Sequence, residues 1–177
     1  MNVRRCWLRI ARLAVLVLSG WSSINAAPAA DPVYAPLRLY AGTWHVTRKD
    51  TASGAKPDEL INDCALIGRF FACQQTVNGT PGALIIFVPA PNKPGHYYTQ
   101  NVLQEGRATG RADLDISGDR WVYSSTWDQG GKTVYYRTTN VFTGKDHIHF
   151  EQQESTNGKD FRLTNSGDEV RVSRPRR

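Results

Sequence analysis

Leu39-Tyr40-Ala41-Gly42-Thr43-Trp44 opens a long run of short segments rich in β-branched and aromatic residues, and its Gly-x-Trp core decides how that run is read. The glycine lets the chain bend closely across a barrel floor, and the indole is large enough to plug the bottom of the core. Outward from this point, turn signals recur about every ten residues. They are Asn78-Gly79-Thr80-Pro81-Gly82, Pro89 to Gly95, Glu105-Gly106, Ser117-Gly118-Asp119, Gln129-Gly130-Gly131, Thr143-Gly144, Asn157-Gly158 and Ser166-Gly167-Asp168. About ten strands joined in sequence order are expected to close on themselves, because closure removes exposed edges. The expected fold is therefore all-β, a single antiparallel up-and-down β-barrel over residues 31–173. A two-sheet sandwich is the alternative, but it needs long crossovers, and only Pro89 to Gly95 is even moderately long.

Residues 1–30 read as a signal peptide. Arg4, Arg5, Arg9 and Arg12 precede the apolar stretch Leu13 to Leu18, and small residues follow from Ala26 to Ala30, where cleavage is expected. Arg4-Arg5-Cys6-Trp7-Leu8-Arg9 also resembles a twin-arginine signal, although the strongly apolar centre favours an ordinary leader. No later apolar run approaches the ~18 residues needed to span a bilayer as a helix. The mature protein is expected in the periplasm or secreted.

The chain carries 22 Lys and Arg against 16 Asp and Glu. Four of the basic residues and none of the acidic ones lie in the leader, which leaves 18 against 16, and Arg174, Arg176 and Arg177 form a basic tail over 174–177. The barrel itself is therefore close to neutral, and no basic stripe argues for nucleic acid. Roughly 145 mature residues suit one domain with one core.

Hairpin arithmetic pairs the two mature cysteines. A two-residue type II′ turn at Gly68-Arg69 sets Ile67 opposite Phe70, Leu66 opposite Phe71, Ala65 opposite Ala72 and Cys64 opposite Cys73. Cys64 and Cys73 then occupy a closely spaced, non-hydrogen-bonded pair, and an oxidising compartment favours a disulfide there.

His147, His149 and Glu151 have metal-ligand spacing on one strand face. A two-residue Asn157-Gly158 turn would set Glu154 opposite Phe161, Gln152 opposite Leu163 and Phe150 opposite Asn165. Ile148, Phe150, Phe161 and Leu163 would then form the inner face, which turns the histidines to water, so no metal site is expected. Asp113 and Asp115 alternate with Leu114 and Ile116 as a solvent face does. The mature chain has no nucleophile elbow, Walker loop or His-Glu-x-x-His pair, so no catalytic residue is assigned and no enzyme is expected.

Aromatic residues are the more informative set. Trp121, Tyr123 and Trp127 share a strand face around Ser125, and Tyr97-Tyr98 and Tyr135-Tyr136 lie on neighbouring strands. Such a face either packs as a core or lines a cup for one small apolar or aromatic ligand. The candidate lining is Trp44, Tyr98, Trp121, Tyr123, Trp127 and Tyr136.

With Gly42-Thr43-Trp44 at the head of such a meander, the chain resembles the lipocalin-like (calycin) group. It is more closely similar to a family of small exported bacterial proteins of unknown function with the same opening, from residue 37 to about residue 173. The resemblance implies that Gly42 and Trp44 build the barrel floor and that a basic residue of the last strand, Arg171, stacks over Trp44. It also implies a binding protein for a small hydrophobic or aromatic molecule, without a cofactor. The alternative is a barrel with a packed interior that binds a protein, as protease inhibitors of similar size do. The chain lacks the C-terminal helix of true lipocalins and an assignable axial histidine for haem.

Overall fold

The computed structural model describes residues 31–49 and 58–173. The expected leader, residues 1–30, and the basic tail, 174–177, lie outside the described residues. Two short 3-10 turns, Pro32–Tyr34 and Pro36–Tyr40, precede ten strands. These are β1 (Gly42–Arg48), β2 (Leu60–Ile67), β3 (Phe70–Val77), β4 (Thr80–Pro89), β5 (His96–Leu103), β6 (Ala108–Ser117), β7 (Arg120–Asp128), β8 (Thr133–Phe142), β9 (His147–Ser155) and β10 (Arg162–Ser173). Each strand pairs antiparallel with the next, and β10 pairs with β1, so the sheet is a closed up-and-down barrel with no free edge. Among the described residues no helix is long and apolar enough to cross a membrane.

Local turn chemistry sets the registers of the first hairpins. Gly68 stands at φ 61° in the two-residue turn between β2 and β3, and the ladder runs Ile67 to Phe70, Leu66 to Phe71, Ala65 to Ala72 and Cys64 to Cys73. The two cysteines form a disulfide with Cα atoms 3.9 Å apart. Closing so short a loop stabilises the fold by about 2–3 kcal/mol. Asn78 and Gly79, at φ 52° and 76°, supply the two left-handed residues of a type I′ turn between β3 and β4.

The N-terminal 3-10 turns cross one end of the barrel and seal it. Trp44 is fully buried there, and its indole N–H donates to the Tyr40 carbonyl at 2.8 Å. Tyr40 and Phe142 pack against it and Trp121 packs against both of them, with the Trp44 and Phe142 rings meeting edge to face at 6.1 Å and those of Trp121 and Phe142 tilted at 4.8 Å. Arg171 on β10 closes the floor from the outside. Its guanidinium lies 4.1 Å from the Trp44 ring centroid and donates to the Leu39 and Ala41 carbonyls, to the Lys145 carbonyl and to Asp146.

Two expectations about the last hairpin are corrected. Asn157-Gly158 is not a two-residue turn, because only Gly158 is left-handed, at φ 72°, while the Asn157 side chain organises a wider loop. Its Oδ1 accepts from the Lys159 and Asp160 amides at 2.9 Å and from Ser155 Oγ. The ladder consequently runs Glu154 to Arg162 and Gln153 to Leu163, shifts, and continues with Gln152 to Asn165 and Phe150 to Gly167. Ile148 and Phe150 point inward as expected, but the irregularity turns Leu163 outward, where it is 54% exposed, and Phe161 packs under the Arg137 guanidinium outside the core.

Ser166-Gly167-Asp168 is likewise not a turn but the middle of β10. Gly167 is required there by close approach, since a Cβ would run into the Thr47 carbonyl oxygen and lie 2.5 Å from Phe150 Cζ. The bare backbone lets the Phe150 ring lie against the strand, and two residues later the same inward face presents Glu169.

Two substitutions check this account. Trp44→Ala should destabilise by roughly 3–5 kcal/mol, and Trp44→Phe by clearly less, because the first removes a whole buried ring from the floor. Gly167→Ala should cost about 3 kcal/mol by overpacking the β1/β10 seam. Denaturant unfolding of each variant measures both, and a Gly167→Ala protein as stable as the parent would contradict the close approach.

Candidate functional site

Above the aromatic floor the barrel is not filled. A cavity of about 300 Å³ remains, and inward-pointing residues from all ten strands line it. Its wall is mixed. Val46, Ile85, Phe87 and Phe150 supply apolar surface, while Arg48, Asn62, Gln75, Thr99, Asn101, Thr138, Asn140, Gln152 and Glu169 supply polar groups. The alternation of β strands explains this, since every second residue of a closed barrel must face inward whatever its polarity.

Glu169 is the group on which the polar wall converges. It is only 6% exposed, and its Oε2 accepts a 2.7 Å hydrogen bond from the Tyr40 hydroxyl. Asn62 Nδ2 donates to the same hydroxyl at 3.1 Å, and Gln75 Nε2 donates to Asn62 Oδ1 at 3.1 Å. Burial pushes the Glu169 carboxyl up to about 7, against the opposing pull of the bonds from Tyr40 and Asn62. The Tyr40 and Tyr123 hydroxyls are both pushed up, by burial first and by the neighbouring Glu169 charge second. Asn140 also lines the cavity, 4% exposed, and its Oδ1 has no donor among the described residues.

Among the residues expected to line a cup, Tyr123 and Tyr136 stand in the cavity wall. Trp121 and Trp44 are buried in the floor beneath it. Tyr98 is on the outer face, a correction with a simple cause: alternation turns its neighbour Tyr97 inward, where the Tyr97 hydroxyl donates to the Val33 carbonyl at 2.6 Å. Tyr98 is instead sandwiched outside by the Arg111 guanidinium, 3.4 Å from its centroid, and the edge of His96. Trp127 is also corrected. It shares the inward parity of Trp121 and Tyr123 but sits at the open end, 53% exposed, against Gly110.

The histidines lie on the outer face. His149 Nδ1 is 3.0 Å and His147 Nε2 3.5 Å from Asp168 Oδ1, while Lys49 holds Asp168 Oδ2 at 2.6 Å. Lys49 and His149 lower the Asp168 carboxyl below its ordinary value. Glu151 is exposed on the same face, and among the described residues no group of His, Cys, Asp and Glu is placed to hold a metal.

Sequence reasoning missed Tyr40, Asn62, Gln75, Asn140 and Glu169. The signal for Glu169 was the alternation Gly167, Glu169, Arg171, which the turn reading at 166–168 concealed.

Among solved structures the chain is similar to Rv2717c from M. tuberculosis, with a TM-score of 0.51 and 14% identity over 80% of this chain and 98% of that one. At that identity the likeness is one of fold. No protein-family model and no curated protein matches the chain.

The buried carboxyl has a measurable signature. Its folded pKa of about 7 lies above its ordinary 4.5, so the folded state holds the proton more tightly than the unfolded chain does. Stability on this account falls as pH rises from about 4.5 to about 7, and the full penalty, about 3 kcal/mol, persists above that. Glu169→Gln keeps an acceptor for Tyr40 and removes the charge. It should raise the melting temperature at pH 8 and leave it nearly unchanged at pH 4.5, as differential scanning calorimetry would show.

Proposed function

We propose that this chain is an exported binding barrel of the lipocalin-like type that holds one compact ligand with both aromatic and hydrogen-bonding character. The observation that carries this reading is the unfilled cavity with a buried, unpartnered acceptor on Asn140 and a buried carboxyl on Glu169. An unpaired buried polar atom costs about 1–3 kcal/mol, which a ligand donating to it would recover. The volume lies at the small end of ligand sites, about 300–1,000 Å³. The mixed wall moves the ligand class away from a purely apolar molecule, since Phe87, Phe150, Tyr123 and Tyr136 offer ring faces while amides and hydroxyls ring the space between them. The leader-like residues 1–30 and the Cys64–Cys73 disulfide support export to an oxidising compartment.

A protein-binding barrel is the second reading, and the observation favouring it is the tip of the β2–β3 hairpin. Ile67 and Phe70 stand there largely exposed, next to each other.

Titration of the exported protein with 2-naphthol decides between them. One-to-one binding with altered tryptophan and tyrosine emission and a raised melting temperature is expected, because a ligand of the folded state stabilises it. Tyr136→Ser, in the cavity wall, should weaken binding several-fold, and Tyr135→Ser, on the outer face, should not. Absence of stoichiometric binding by 2-naphthol and by other compact aromatic probes would transfer the function to the protein-binding reading.

A further inference from the structure

A chain of hydrogen bonds runs along the cavity wall: Gln75 donates to Asn62, Asn62 to Tyr40, and Tyr40 to Glu169. It ends on the Glu169 carboxyl, and Asn140 Oδ1 is a further buried acceptor of the wall without a donor among the described residues. Glu169 forms no ion pair with any described residue. Two cations stand two residues away along a strand: Arg48, beyond Val46, which faces Glu169, and Arg171 on β10, whose guanidinium is held by the Leu39 and Lys145 carbonyls and by Asp146. Two residues along a strand is about 7 Å.

From this arrangement we infer that the compartment around Glu169 is a site for a single organic ammonium group carried on a compact aromatic body. The inference rests on the binding-barrel reading and names the ligand class for the same cavity. An ammonium brings three donors and a positive charge to a wall that offers acceptors and a carboxyl without a counter-ion. The rings of Tyr40, Tyr123, Phe87 and Phe150 line the same space, and a desolvated cation is attracted to such ring faces. Arg48, further toward the open end, opposes a second positive charge and so favours a monocation over a diamine.

Groups packed around Glu169 leave it as the cavity's titrating residue between pH 6 and 8. Tyr40 from the 3-10 turn and Tyr123 from β7 are pushed up and stay neutral, while Arg48 on β1 and Arg171 on β10 are the guanidinium groups on the same face. Ile148 on β9 and Phe142 on β8 are apolar, and Asn62 on β2 does not titrate. His147 and His149 on β9 and His45 on β1 lie on the outer face, beside Asp168 and Glu59.

Calorimetric titration of the exported protein with 2-phenylethylamine, its neutral isostere 2-phenylethanol and the anion phenylacetate tests the assignment. The amine should bind one-to-one at pH 8, at least tenfold more tightly than the alcohol, with phenylacetate weakest. Its affinity should fall about tenfold from pH 8 to pH 6 as Glu169, ionising near pH 7, takes up a proton while the amine stays charged. Glu169→Gln should erase both the preference for the amine and the pH dependence. Equal affinity for amine and alcohol, tighter binding of phenylacetate, or an amine preference that survives Glu169→Gln would each overturn the ammonium site and leave the binding barrel standing. Failure of all three compounds together with 2-naphthol would overturn both.

Discussion

The Arg171 guanidinium over the Trp44 indole is the contact on which the rest of the barrel depends, because it joins the first strand to the last. Closure requires β10 to find β1 across more than a hundred residues of chain, and backbone hydrogen bonds alone would accept several registers. The stacked pair accepts one. The guanidinium has little access to solvent, so it needs acceptors, and it finds them on the carbonyls of Leu39, Ala41 and Lys145 and on Asp146. These bonds hold the N-terminal 3-10 turn and the β8–β9 loop onto the same cation. The floor, the seam and the entry of the chain into the barrel are thereby fixed together.

Once the floor is set, the alternation of β10 carries Glu169 into the interior. Arg171 is bound at the floor and Gly167 is pressed against Thr47 and Phe150, so the residue between them on that face has no outward option. A carboxyl buried there is a local conflict with the hydrophobic core, and conflicts of this kind mark functional sites. Tyr40 links the two halves of the molecule. Its carbonyl accepts from Trp44 in the floor and its hydroxyl donates to Glu169 in the cavity, so the same residue ends the core and begins the site.

Much of the fold was legible in the residues because its determinants are local. Gly68 and the Asn78-Gly79 pair specify their turns through backbone conformations that few other residues adopt, and the Cys64–Cys73 register follows from counting outward. The β9–β10 hairpin was misread for the opposite reason. Whether Asn157 takes a left-handed turn position or uses its side chain to bond Lys159 and Asp160 is decided by the strands it joins, and one extra residue at the bulge reverses Leu163. Tyr98 and Trp127 were misplaced because a run of aromatics shows neither its parity nor its depth along the barrel axis.

By itself the sequence determined a closed antiparallel barrel with an indole-plugged floor, a disulfide hairpin and histidines turned away from the core. These follow from periodicity, turn chemistry and spacing within one or two strands. Only the tertiary structure decided what the interior contains. Tyr40, Asn62, Gln75, Asn140 and Glu169 come from five separate elements, and each alone reads as an ordinary polar residue of a strand or turn. Closure of the sheet turns them toward one space, and removal of water from that space turns a common carboxylate into a group poised near neutral pH.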